Sequence, residues 1–272
     1  MKANAVGTIK EKGNTVVAPL SLCIVTNRLD ARLEEIIRVC AGSFAEILIG
    51  YDGRPDTIPA SFAATPHTRI VPLQWEGYSA TKNRLAAEAA HPWILSLDGD
   101  EVPDPLLLQT ITGLDYVNLS PGTMGTFKRL SFFEGKKIKH GAWGRDRVLR
   151  LYNKTYTQWN QDIVHEALEQ KPGTKVLLLE GILLHYTADT YASFLEKNKR
   201  YARLSAAKYF ERGKRSPLWK RLLSPAFTFV REYIFEAGFA DGRAGFRIAR
   251  INALYTHWKY AFLKEKYQES AS

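Results

Sequence analysis

The sequence predicts an α/β fold with a mostly parallel sheet covered by helices, and three observations carry that reading. Short apolar runs alternate with segments of helical spacing between Leu20 and Leu97, the pattern of βαβ units. Polar residues cluster just past the apolar runs: Thr26-Asn27, Asp52, and Asp98-Gly99-Asp100. In open α/β sheets, ligands bind beyond the carboxyl ends of the strands. At 272 residues the chain is long enough to bury a full α/β core, as one large domain or as one domain plus an appendage.

Leu20–Val25 is a continuous apolar run opening into a polar loop, the signature of a buried strand. Residues 30–39 place Leu33, Ile36 and Ile37 on one helical face. Strands follow at 45–50 and 69–73, an Ala-rich helix at 79–90, and a strand at 93–97. Beyond Asp104 the pattern loosens. It predicts a helix at 105–114, strands at 126–133 and 147–152 with a turn at 135–137, and a strand at 181–186 ending near His185. Helices are expected at 191–212, 218–239 and 246–267, with Gly213 and Pro217 breaking the first from the second. The expected organisation is a loose lead-in at 1–18, an α/β domain at 19–190 and a helical region at 191–272.

Composition excludes wholesale disorder, since 45% of residues are hydrophobic and 24% charged. No apolar run approaches the roughly 18 residues that cross a bilayer, and residues 1–18 lack the apolar core of a signal peptide. Two cysteines in apolar context, Cys23 and Cys40, argue for a reducing compartment rather than a disulfide framework. Charge is uneven. Residues 1–190 carry 21 Lys/Arg and 21 Asp/Glu, whereas residues 191–272 carry 17 against 7. A basic surface on a neutral body points to an anionic partner: nucleic acid, an acidic protein or a membrane leaflet.

The segment Trp93–Glu101 (WILSLDGDE) ends an apolar strand in three carboxylates, Asp98, Asp100 and Glu101. Such charge is costly unless something positive sits beside it, and Asp-x-Asp offers oxygen ligands to Mg²⁺ or Mn²⁺ bridging a diphosphate. A solvated turn or a helix cap ahead of Pro105 is the structural alternative. Phosphoaspartate chemistry, which also uses Asp-x-Asp, ranks lower because it normally employs the first strand, and here that strand ends in Thr26-Asn27.

The segments LCIVTN (22–27), YDG (51–53), SATKNR (79–84) and WILSLDGDE (93–101) resemble the nucleotide-binding half of glycosyltransferase family 2, with its GT-A fold. VHE (164–166), LHYT (184–187) and GFADGRAG (238–245) resemble the bacterial lipopolysaccharide core β-1,4-glucosyltransferases within it, so that the resemblance spans residues 20–265. It implies a GT-A, Rossmann-like mixed sheet flanked by helices, with a helical, basic C-terminal extension. It also implies an inverting transfer of a hexose, first glucose, from a UDP-sugar to a hydroxyl of a glycolipid or lipopolysaccharide-core acceptor. Thr26, Asn27, Asp52, Lys82, Asn83 and Asp98 would line the nucleotide-sugar pocket. Asp98, Asp100 and His185 would hold a divalent metal, Mn²⁺ or Mg²⁺. Glu166 is the chosen general base, at the start of a helix. His165-Glu166 stands where the family usually has Glu-Asp, so that the base is either His165 or Glu166. Trp143, Arg147 and Arg150 would contact the acceptor or the departing phosphates.

The C-terminal region mixes its Lys/Arg excess with aromatics, and Lys214-Arg215 and Lys220-Arg221 flank Trp219. That composition suits an interfacial membrane surface, and the resemblance implies a cytoplasmic location, peripheral on the inner face of the bacterial inner membrane. Nucleic acid is not the expected partner. The competing reading is a nucleic-acid- or membrane-binding protein with a non-catalytic nucleotide-sugar module, which leaves the strand-end carboxylates without a role.

Overall fold

The computed structural model describes residues 17–53, 62, 65–161 and 166–270. It divides into two compact units: the chain up to Arg129 with Arg147–Leu184, and Leu130–Asp146 with His185–Ser272.

The first unit is built on a sheet of strands β1 (Ala18–Thr26), β2 (Phe44–Tyr51), β3 (Thr68–Pro72), β4 (Trp93–Asp98), β5 (Glu101–Pro103), β6 (Thr123–Phe133), β8 (Arg147–Asn153) and β9 (Lys175–Ala188), in the order β3-β2-β1-β4-β8-β6-β9-β5. The short strand β7 (Lys136–Lys137) belongs to the second unit and pairs with the end of β6. β1 is parallel to both β2 and β4, and β2 to β3. β8 runs antiparallel to β4 and to β6. The sheet is therefore mixed rather than mostly parallel, because the βα alternation that enforces parallel crossovers stops after β4. Both flanking strands of the order, β3 and β5, end in proline (Pro72 and Pro103), a residue that cannot donate to a ladder and belongs at edges.

Helices α1 (Ala31–Cys40), α2 (Tyr78–Ala87) and α3 (Pro105–Thr112) connect these strands. In α1, Leu33, Ile36, Ile37 and Cys40 are buried, and Asp30 caps the start by accepting from the main-chain N–H of Arg32 and Leu33. In α3, Asp104 Oδ1 accepts from Leu107 N at 2.7 Å with Pro105 opening the helix. The strand expected at 181–186 is 14 residues long. Its Gly181, at φ +100, lies so close to α3 that an added Cβ would stand 2.2 Å from Leu107 N. Cys23, Val25, Leu48, Leu85, Ile94, Tyr152 and Trp159 share one core. Cys23 and Cys40 are both buried free thiols, and burial pushes the pKa of Cys40 up to about 12.

In the second unit, α4 (Tyr191–Glu211) and α5 (Leu218–Val230) both pack on α6 (Gly242–Glu269). The helix expected over 218–239 is shorter: a π-helical turn at Arg231–Phe235 and a 3-10 turn at Gly238–Asp241 follow α5. α6 begins at Gly242, four residues before the expected 246. Phe133, Ile138, Phe194, Ile248 and Ile251 form the core of this unit. Among the described residues no helix is long and apolar enough to cross a membrane.

Candidate active site

Three parallel strands deliver the polar loops foreseen from the sequence to one edge of the first unit. Val25 of β1 is in register with Asp98 of β4 and with Gly50 of β2. Two main-chain bonds fix the loops beyond those strands: Asp52 N donates to Thr26 O at 3.1 Å, and Gly99 N to Val25 O at 3.2 Å. The turn at Gly99 lies directly on Thr26, where an added Cβ would meet Thr26 Oγ1 at 2.6 Å. Thr26 Oγ1 donates to Arg28 O and accepts from Arg28 N, holding its own loop, while Asn27 is exposed and Asp52 half-buried.

For two of the three carboxylates, Asp98 and Glu101, the positive partner is the protein itself. Glu101, wholly buried, accepts through Oε1 from Arg150 at 2.7 Å and Arg129 at 3.1 Å, and through Oε2 from Asp98 N at 3.1 Å. That last bond closes the Asp98–Glu101 turn from within. Asp98 is 2.8 Å from Lys82 Nζ through one oxygen and 2.7 Å from Arg150 through the other. Lys82 also reaches Glu166 Oε1 at 2.9 Å. Three cations thus face three carboxylates, and burial of charge is tolerated because each is paired. Burial alone would lower the pKa of the Arg150 guanidinium, but Asp98, Glu101 and Glu166 drive it above its usual value.

Several expectations change here. Lys82, expected in the nucleotide-sugar pocket, is 1% exposed and committed to Asp98 and Glu166, because it shares a face of α2 with the buried Leu85 and Ala86. Its ammonium stands 4.6 Å from the centroid of the Trp159 ring. Arg150 is 4% exposed and holds carboxylates rather than facing an acceptor. Glu166 does not start a helix: it is in irregular structure two residues before Leu168, which bridges to Trp159, and its charge is met by Lys82 instead of a helix pole. Its Oε2 is buried with no hydrogen-bond partner among the described residues. Asn83 spends its amide on Trp159, donating to its carbonyl at 2.8 Å and accepting from its N–H at 2.9 Å. His165 falls outside the described residues.

Trp143 serves the aromatic core of the second unit, edge-on to Phe133 and Phe194. Arg147 is exposed where β8 begins, opposite Lys128. His185 belongs to the second unit, its Nδ1 3.0 Å from Thr187 Oγ1 and 3.4 Å from Ser131 Oγ. Arg129 and Trp159, unflagged in the sequence reading, complete the cluster. Arg129 leaves little trace in the sequence, since it follows Lys128 in a strand that mixes Met124, Phe127 and Leu130 with Thr123, Thr126 and Ser131.

Among the described residues no group of three or more His, Cys, Asp or Glu side chains is arranged to hold a metal ion. Asp98 and Glu101 are committed to the protein's own cations, so Asp98 does not fit as a direct ligand in this arrangement. A hard cation bound through one carboxylate plus substrate phosphates and water is nevertheless a common arrangement for Mg²⁺. Asp100, half-buried in the same loop, fits that requirement.

No protein-family model matches the chain. An uncharacterized glycosyltransferase of Rickettsia typhi is 22% identical over 258 residues, covering 90% of this chain and 87% of that protein. The lipopolysaccharide core biosynthesis glycosyltransferase LpsC of Rhizobium meliloti is 25% identical over 226 residues, covering 82% of this chain and 80% of LpsC. An uncharacterized glycosyltransferase of Rickettsia prowazekii is 21% identical over 258 residues, at 90% and 87% coverage. The chain is thus similar over most of its length to bacterial proteins named as glycosyltransferases. Those similarities, over 80–90% of each chain, support a glycosyltransferase activity. A crystal structure of Staphylococcus aureus TarS 1–349 aligns over 92% of this chain and 91% of that one, at 11% identity and a TM-score of 0.43, a likeness too low to support a conclusion.

Proposed function

We propose that the chain is an inverting hexosyltransferase that moves a hexose, glucose in the first instance, from a UDP-sugar to a hydroxyl of a glycolipid or lipopolysaccharide-core acceptor, assisted by Mn²⁺ or Mg²⁺. One observation carries the reading. Lys82 joins the strand-end carboxylate Asp98 to Glu166, and Glu166 keeps its second oxygen buried with no hydrogen-bond partner among the described residues. An unpaired buried carboxylate oxygen is costly and is suited to receive a proton from an acceptor hydroxyl. The LpsC name on one relative motivates the choice of acceptor.

Thr26, Asn27 and Asp52 offer polar groups at the ends of β1 and β2 for the uracil and ribose. Lys82 and Asp98 set the position of Glu166 relative to the strand ends, and Asn83 fixes Trp159 beneath Lys82. The acceptor hydroxyl gives its proton to the Glu166 carboxylate as its oxygen bonds to the anomeric carbon from the side opposite the diphosphate. The bond from that carbon to the diphosphate oxygen breaks, its electron pair leaves on UDP, and the configuration inverts. Orientation of the two reactants supplies much of the rate. A divalent cation held by Asp100 and the two phosphates would add charge stabilisation of the leaving group.

An anionic membrane surface is the proposed setting, at the inner face of the bacterial inner membrane. α5 exposes Leu218, Trp219, Leu222, Leu223 and Phe227, with Lys220 and Arg221 alongside, an amphipathic face of interfacial type.

A panel of nucleotide sugars, with and without Mn²⁺, tests the chemistry through thermal shift and UDP release. UDP donors should raise the melting temperature in a metal-dependent way. Asp100→Ala should abolish that dependence. Glu166→Gln should retain donor binding and lose about 10²–10⁴-fold in turnover. Equal loss of donor affinity in both variants contradicts the assigned roles.

A further inference from the structure

The GFADGRAG segment (238–245) has no part in the chemistry above, yet it opens a cleft of about 560 Å³ within the second unit. The cleft is lined by Arg243, Arg247 and Arg250 of α6, by Tyr191 and Tyr233, and by Glu134. The three arginines stand at i, i+4 and i+7, one helical face in the opening turns of α6.

On local grounds this placement is unfavourable. Like charges four residues apart repel, and cations lie against the positive pole at a helix N-terminus. The first turn of α6 contains no acidic residue. Asp241, just before it, makes no side-chain cap. Its carboxylate accepts instead from Lys139 N at 3.1 Å, His140 N at 2.8 Å and faces His140 Nδ1 at 3.0 Å. Arg247 pairs with Glu134 and lies 5.5 Å from the Tyr191 centroid. Arg243 and Arg250 are exposed and have no carboxylate partner among the described residues. The cleft therefore concentrates three guanidinium groups against one carboxylate.

We propose that this cleft binds a phosphate-bearing ligand, a phosphorylated sugar or lipid head group. Guanidinium forks match phosphate oxygens two at a time and hold them more specifically than an ammonium does. Tyr191 and Tyr233 supply aromatic walls of the kind that line small-ligand sites, and the volume lies within the range of such sites. Tyr233 sits in the π-helical turn Arg231–Phe235, an irregularity found often at functional positions.

The test uses the full chain at low ionic strength and does not involve the donor. Glucose 6-phosphate is titrated by calorimetry, and sedimentation is measured with phosphatidylglycerol and phosphatidylcholine vesicles. Arg243→Gln/Arg250→Gln is the variant, its fold checked by an unchanged melting temperature; Arg38→Gln, exposed on α1, is the charge control. Saturable binding of glucose 6-phosphate, weakened at least tenfold in the double variant and unchanged in the control, supports a sugar-phosphate site. Binding of phosphatidylglycerol vesicles alone, lost in the same variant, supports a lipid phosphate. Absence of both, or equal binding by the double variant, overturns the proposal. UDP-donor binding in the same double variant should be unchanged, so that failure here is distinguishable from failure of the transferase reading.

Discussion

Replacing Arg150 by methionine removes the cation shared by Asp98 and Glu101 and tests whether the acidic turn is held by the protein's own charge. Arg150 is 4% exposed and Glu101 is 0% exposed, so this pair is barely screened by water. Removing one partner of a buried pair costs about 3–5 kcal/mol, because the other charge is left uncompensated. Arg129, still 3.1 Å from Glu101 Oε1, and Lys82, still 2.8 Å from Asp98, moderate the loss. The low end, about 3 kcal/mol, is therefore expected. Against a total of about 5–15 kcal/mol that is a large share of stability. At about 2–4 °C per kcal/mol for a chain of this order, it lowers Tm by roughly 6–12 °C. Urea unfolding followed by tryptophan fluorescence measures it, for wild type, Arg150→Met, Glu101→Leu and the double variant. The double variant should recover part of the loss, with a coupling energy of about 1–3 kcal/mol. Recovery is partial because Asp98 also loses Arg150. A single-variant cost below about 1 kcal/mol, or strict additivity in the cycle, refutes the claim that internal cations hold the turn.

Two further outcomes follow from the same contacts. Asn83→Ala removes both hydrogen bonds to the Trp159 main chain and should cost about 1–3 kcal/mol in thermal or urea unfolding; a change below about 0.5 kcal/mol rules out the clamp. Glu232 is buried, and that burial raises its pKa above the usual carboxylate range, opposed by the hydrogen bond from Asn252. A raised folded-state pKa means the group favours the fold while protonated, and that contribution is lost as pH rises through the folded value. Glu232→Gln should therefore gain stability relative to wild type as pH climbs from about 4 towards neutrality. Melting curves across that range check it, and a gap that shrinks with rising pH would contradict the assignment.

Local pattern in the sequence reveals most of the longer elements and the edge of the sheet at which the polar loops meet. Leu33, Ile36 and Ile37 repeat at helical spacing, and Leu20–Val25 and Trp93–Leu97 are continuous apolar runs; both patterns are local and need no knowledge of distant contacts. The three-residue strand β5 escaped notice because it is too short to show a period, and the π-helical turn after α5 because nothing in the apolar spacing marks it. Only the tertiary structure decided what neutralises the acidic turn. The sequence showed that Asp98, Asp100 and Glu101 needed positive charge, and a metal was the economical expectation. The fold brings Arg150 to Asp98 across 52 positions and Lys82 to Glu166 across 84. Such pairings depend on which strands become neighbours and which helix face turns inward. Coulomb attraction falls with distance in space, and separation along the chain does not specify that distance.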